Sequence, residues 1–429
     1  MILTDNFLVK HLRTQTTYKK VLWAYILLLF LEASLRKWFL PFLSTPLLLV
    51  RDPFAIFLVL YGFRYKIIPF SRNLFLVYLF TVVSFILTMV AGHKNLFVAL
   101  FGFRIMIFHF PMIFIIGNMF KKEDVLVFCK FILYLSIPAF MLVFFQFKSP
   151  QTAWVNRAVG GVNGVGFTGF KGYFRPSGLF SFTSGNVQFW SCVGAILLYS
   201  FVNENLIDKR IRIICTGVFL MAIPMAISRT LVVQTLISLG FFGAILLRNR
   251  ILTYKVFKVV VTTLVVSLVL INLNFVGTSI DVISGRFDDA SRIEGGNTGY
   301  IIINRFLGSM LNSVLNSNLI GQGLGLGTNV GSKLSTGTVQ YLIAEGEWGR
   351  VIGERGILLA LPILLIRLQV VVKSFYLAKK KLSKSVVLPW LLFSVSSLLL
   401  ILGQWGQPAS LGFAVITGGL LLASVSNKL

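Results

Sequence analysis

Acid is what this chain has little of. Fourteen Asp and Glu stand against forty Lys and Arg, and only 13% of the 429 residues are charged. A soluble domain carries nearer a quarter of its residues as charges, so that class is excluded. Three histidines leave no His-rich metal cluster. The three cysteines, Cys129, Cys192 and Cys215, fall within or beside apolar runs, which suggests neither a disulfide framework nor a zinc site. Strands of alternating apolar and polar residues are almost missing, which argues against an outer-membrane barrel. A cleavable leader is not expected either. The first apolar run is long and is followed by Glu32 and Arg36-Lys37-Trp38 in place of a small-residue cleavage site, so it should stay as an anchor.

What is present is apolar length. Hydrophobic residues make up 56% of the chain, with a mean hydropathy of +0.85. Runs of roughly 18–25 apolar residues recur, each long enough to cross a bilayer core of about 30 Å. They lie near 21–39, 46–63, 73–91, 96–119, 125–147, 179–202, 211–228, 230–247, 256–277, 351–372, 386–403 and 409–425. The expectation is an all-α, polytopic integral membrane protein with about twelve spans. Pro41, Pro46 and Pro53 interrupt the second of them.

The basic residues alternate from loop to loop. One set of loops holds Lys10 to Lys20, Arg64 to Arg72, Lys121-Lys122, Lys209 to Arg212, Arg248 to Lys258 and Lys373 to Lys384. By the positive-inside bias these are cytoplasmic, and both termini are expected inside. The net charge of +26 is mostly this bias. Nucleic-acid binding is not expected, because the bases flank spans and form no single soluble patch.

The opposite face carries two long segments, roughly 148–178 and 278–350. The division is therefore 1–277 with the first nine spans, 278–350 as a large external loop, and 351–429 with the last three. Loops of this length are usually functional or disordered. In the second, Ile301–Ile303, Phe306, Leu307 and Leu311 predict a short helix on the membrane surface. Positive charge on the translocated side needs a reason, and an anionic ligand is one.

Several motifs carry chemistry. "SRT", Ser228–Thr230, is a tight external turn. Arg229 reads either as a snorkelling interface residue or as a fixed cation at the floor of a cavity. In "FRPSGLFSFTSGN", Arg175 precedes a helix start, either as a simple cap and anchor or as an anion partner near the positive helix end. Arg104 and His109 fall inside a span, where structural pairing, for example with Glu32, competes with ligand contact. "GQGLGLG", Gly321–Gly327, fits neither a dinucleotide fingerprint nor a P-loop and reads as a flexible turn. "YLIAEGEWGRVIGERGIL" places Glu345, Glu347, Arg350, Glu354 and Arg355 at the mouth of a span. They either pair with one another, Arg350 with Glu354 one turn on, or do chemistry.

Taken together, "SRT", "INRFLGSMLNSVLNSNLIGQGLGLG" and "AEGEWGRVIGERGILLA" resemble the O-antigen ligase and O-antigen polymerase superfamily of bacterial envelopes. "LEASLRKWFLP" also looks like a subset of exopolysaccharide polymerases. The resemblance covers nearly the whole chain through short motifs. It implies a GT-C-like membrane fold with a long periplasmic loop, in the bacterial inner membrane. It implies glycosyl transfer from an undecaprenyl-diphosphate-linked oligosaccharide to a sugar hydroxyl, without metal or other cofactor. A chain-length regulator, a flippase and membrane lipid are the implied partners. The polymerase reading is preferred, with a ligase acting on lipid A core as its alternative and a transporter as the reading from another class.

One departure bears on mechanism. Aligning Glu354 with the Glu that precedes a Gly in the family pattern puts Glu345 where the family has His. A base is still needed to take the acceptor proton, and Glu345 or Glu347 is expected to serve. The resemblance assigns the diphosphate to arginines, with Arg175, Arg229, Arg292, Arg305 and Arg350 as candidates. Arg305 fits the family Arg by spacing and Arg292 by its "SR" context.

Overall fold

The computed structural model describes residues 2–164, 166–246, 274–294, 319–337 and 342–426, with isolated positions between 247 and 318. Helices dominate, because a backbone in lipid must satisfy its own hydrogen bonds. In chain order they are Ile2–Ser34 (α1), Asp52–Arg64 (α2), Arg72–Val90 (α3), Leu96–Arg104 (α4), Met112–Met119 (α5), Lys122–Lys148 (α6) and Thr183–Val202 (α7). There follow Lys209–Met225 (α8), Arg229–Leu246 (α9), Asn274–Glu294 (α10), Asn329–Thr336 (α11), Glu347–Leu382 (α12), Leu388–Leu402 (α13) and Pro408–Val425 (α14). Among the described residues the one sheet is a small hairpin of Phe167–Thr168 (β1) and Phe174–Arg175 (β2), antiparallel with Phe167 opposite Arg175.

Seven helices among the described residues are long and apolar enough to cross a membrane: Pro46–Arg64, Arg72–Val90, Leu96–Met119, Lys122–Lys148, Thr183–Val202, Glu347–Leu382 and Pro408–Val425. They are fewer than the twelve spans expected. Length is part of the reason. The apolar helix Leu388–Leu402 has 15 residues, or about 22 Å at 1.5 Å per residue, short of a 30 Å core. Arg229–Ile245 is short in the same way. The span expected at 256–277 lies mostly outside the described residues. Helix α10 starts at Asn274 and runs to Glu294, so the first part of the expected 278–350 loop is helical.

Helices α7 and α14 form the centre. Their apolar windows are 89% buried, against 28% for Arg72–Val90, whose outer face is left for lipid. Phe30, Phe180, Phe189 and Phe413 meet there, Phe30 edge-on to the other three. Small residues let α5 and α14 touch: a Cβ on Gly419 would lie 2.5 Å from that of Ile116. Two contacts join segments that the charge alternation assigned to one side. Lys19 pairs with Asp124 at 2.6 Å, and Lys381 donates to the Ser426 carbonyl at 3.4 Å.

Candidate functional site

The opposite end of the bundle is held by one arginine–glutamate network. Glu347 opens α12, where a carboxylate is favoured by the helix dipole. Its Oε1 accepts from Arg350 at 2.9 Å and from Arg367 at 2.8 Å. Its Oε2 accepts from Arg350 Nε at 2.9 Å and from the Trp405 backbone N–H at 3.0 Å. A carboxylate offers about four lone-pair positions, and all are in use. Glu354 takes Arg350 at 2.7 Å and the Gly327 N–H at 3.1 Å. Both carboxylates are buried, at 3% and 1% exposure.

The same network finishes the neighbouring helix. The end of α13 leaves carbonyls without helical partners. Trp405 Nε1 reaches Leu399 O, Arg367 reaches Leu400 O through Nε and a terminal nitrogen, and Trp348 Nε1 reaches Ile401 O, all within 3.0 Å. Arg367 also lies over the Trp405 ring, 3.8 Å from its centroid. These bonds weld α12, α13 and the Gly403–Gln407 connection into one unit.

The glycine motif is a wedge in the bundle, which corrects its reading as a flexible turn. Gln322 and Gly323 donate backbone N–H to the carbonyls of Gly353 and Glu354 at 2.8 and 3.0 Å. On its other side Thr88 Oγ1 accepts from Leu324 N at 2.9 Å, and His93 binds Leu324 O at 2.9 Å. Because His93 Nδ1 already accepts from Asn95 N, its Nε2 is the donor. Space explains the glycines. A Cβ on Gly325, at φ +83°, would lie 2.0 Å from Val98 O, and one on Gly321, at φ +80°, 2.4 Å from Gly356 N. Gly356 kinks α12 with φ 71° and ψ 163°, a conformation that belongs to glycine.

Two residues before the closed Glu347, Glu345 is exposed. It lines a small cleft, with room for about one water, together with Asn329, Glu347, Arg350, Gln404 and Gln407 and with glycine backbone between them. Gln404 Nε2 donates to the Glu345 carbonyl at 2.6 Å. Gln407 Nε2 donates to Gln404 Oε1, and Ser184 Oγ donates to Gln407 Oε1 at 2.5 Å. The amide chain therefore ties the base candidate to the start of α7.

The arginine candidates divide. Arg175 sits on β2, and Arg229 opens α9 after a turn in which Ile227 has φ +46°. The hairpin joins them: a Cβ on Gly169 would touch Ile227 at 3.2 Å, Arg286 of α10 donates to Gly169 O at 3.3 Å, and Gly285 lies against the Phe170 ring. Arg175, Arg229 and Arg286 thus belong to one neighbourhood, and Arg286 was not among the sequence candidates. Arg292 is exposed in the last turn of α10. Arg305 and the short helix expected around it lie outside the described residues. Arg350 turns all three of its nitrogens to Glu347 and Glu354, which makes it the centre of the network.

A second set of buried charges is also internally paired. Arg104 binds both oxygens of Asp52, at 2.5 and 2.6 Å, and not Glu32 as the example pairing had it. His109 Nε2 lies 3.0 Å from Asp52, and its Nδ1 lies 2.9 Å from the Tyr25 hydroxyl. Glu32 takes Arg36 and Arg51, each at 3.1 Å. Both groups sit at π-helical turns, Leu35–Phe39 and Ile105–His109, which re-aim side chains inside a span. Lys37 donates to Ser177 Oγ and Gly178 O at 2.7 and 3.1 Å, docking the 148–178 segment onto the π-helical turn that follows α1.

Among the described residues no group of three or more His, Cys, Asp or Glu is placed to share a metal ion. No family model matches the chain, and no curated protein matches it.

Proposed function

We propose that this chain is a membrane glycosyltransferase that polymerises lipid-linked oligosaccharide repeats at the periplasmic face of a bacterial inner membrane. The observation that carries the reading is the exposed Glu345 beside a closed arginine–glutamate network, at the position where the resembled family has its base. In this reaction an acceptor hydroxyl gives its proton to Glu345 while its oxygen attacks the anomeric carbon of the donor. The bond from that carbon to the diphosphate oxygen breaks, and the polyprenyl diphosphate leaves with the electron pair. Arg175 and Arg229 receive the charge that builds on the diphosphate, with Arg292 beyond them on α10. Glu347 and Arg350 hold the site together and take no proton and no phosphate.

The buried charges that favour a transporter, Arg104 and His109, are paired within the bundle by Asp52 and Tyr25. The glycan profile of a deletion strain tests the reading. Single repeats accumulating on the carrier lipid support a polymerase. Full-length chains stranded on the carrier support a ligase that transfers glycan to lipid A core. An unchanged surface glycan sinks both.

A further inference from the structure

The connection between α1 and α2 is inside out for a loop in water. From Trp38 to Val50 it carries no charge. The cations that flank it all turn inward. Arg36 bonds Glu32 and the Ser44 carbonyl, Lys37 bonds Ser177 and Gly178, and Arg51 bonds Glu32 and the Pro408 carbonyl. The apolar side chains turn outward: Phe39 is 68% exposed and Phe42 78%, with Leu43 and Leu49 exposed beside them. In water this arrangement would wet the large apolar groups and hide the charged ones. The backbone is equally self-contained. Two 3-10 turns, Pro41–Leu43 and Pro46–Leu49, bond the N–H groups of Leu43, Ser44, Leu48 and Val50 to carbonyls three residues back. The two prolines have no N–H to satisfy. Irregular backbone persists in an apolar phase only when its polar groups are met in such ways.

The surroundings of the connection point the same way. Leu49 belongs to the apolar stretch Pro46–Arg64, which is long enough to cross a membrane. The helices on either side are exposed in the same manner, at Leu31 of α1 and at Phe57 and Leu60 of α2. Trp38 Nε1 donates to Trp154 O at 3.1 Å with the two rings 5.9 Å apart, and indoles collect at the headgroup boundary. We infer that this connection lies in the boundary layer of one leaflet, with Phe39, Phe42, Leu43 and Leu49 against lipid acyl chains and the Trp38–Trp154 pair at headgroup level. The partner is lipid: a protein partner would find no charge on this face to fix its orientation. Gly160 N donates to Arg36 O at 3.1 Å, so the 148–178 segment is held down on the membrane through this foot. None of this depends on glycosyltransferase chemistry.

The test reads depth. Single cysteines at Phe42, Leu49, Leu60 and Lys171 are spin-labelled in the full chain in lipid nanodiscs, which leave both leaflets accessible. The three native cysteines are buried, and wild type serves as the labelling blank. Collisions with dissolved oxygen, which concentrates in lipid, are compared with collisions with a water-soluble nickel chelate. Leu60 on α2 is the lipid reference, and the exposed Lys171 is the water reference. Phe42→Cys and Leu49→Cys should both favour oxygen, as Leu60→Cys does, at a depth of about 5–10 Å below the headgroup boundary. Leu43→Cys takes the place of either variant that fails to fold. Preference for nickel at either site puts the connection in water and overturns the inference. Exclusion of both reagents at either site means that protein covers the face and overturns lipid as its partner.

Discussion

Glu345 and Glu347 are two residues apart and occupy opposite chemical worlds. Glu347 is buried among two arginines and a backbone N–H, and Glu345 is exposed at the edge of a cleft lined by amides. The difference is made elsewhere in the chain. Arg367 arrives from five turns along the same helix, and Trp405 from the connection between two others. A closed carboxylate organises the end of the bundle, and an open one is left to act on something outside it. What looks like a row of five charges at a helix mouth is three side chains closed on one another, Glu347, Arg350 and Glu354, with Arg355 buried 3.8 Å from Glu354 and one carboxylate exposed at the rim.

The largest expected effect comes from opening that closed group. Glu347→Ala leaves Arg350 and Arg367 facing one another without their shared carboxylate. Removing one partner of a buried pair costs about 3–5 kcal/mol. Little folded protein should reach the membrane, and what does should unfold well below the wild-type temperature in detergent. Glu347→Gln keeps the shape and should be impaired in the same direction. A Glu347→Gln protein with wild-type stability and no activity would break the comparison and make Glu347 the base.

Next is the rim. Glu345→Gln keeps size and removes basicity, so the polymerisation rate should fall about 10²–10⁴-fold. Because the side chain is exposed, stability should stay within about 0.5 kcal/mol of wild type. The readout is glycan length in a strain carrying the variant, checked against protein level. Full-length glycan in that strain removes Glu345 from the chemistry.

The sequence carried the helices further than the site. Lipid imposes apolar composition over whole segments, so helix positions such as Arg72–Val90 were plain from local residues. The pairing of Arg350 with Glu354 was legible for the same reason, since one helical turn brings them together. Arg367, Gln404 and Asp52 gave no local signal. Each acts through a partner 20 or more positions away, and nothing at the residue itself names that partner. The glycine motif misled because positive φ has one signature in sequence and two uses. An open turn needs it for bending, and the wedge at Gly321 and Gly325 needs it also for backbone-to-backbone contact. The cleft was invisible since its amides come from α11 and from the connection between α13 and α14, which only folding brings beside Glu345.

The smallest expected effect falls on the wall between the Glu347 network and the cleft. Thr328 caps α11: its Oγ1 accepts from Gly331 N at 2.9 Å and donates to Gly325 O at 2.6 Å. It therefore ties the glycine wedge to the helix that begins with Asn329. Replacing such a cap by alanine costs about 1 kcal/mol, roughly a fivefold change in the folded-to-unfolded ratio. Thr328→Ala should lower the unfolding temperature slightly and leave the Glu347 network intact, because no bond of Thr328 reaches it. Thr328→Ser restores the hydroxyl and should restore the unfolding temperature. A Thr328→Ala protein that unfolds at the wild-type temperature would show that the wedge is held by its backbone bonds to Gly353 and Glu354 without the cap.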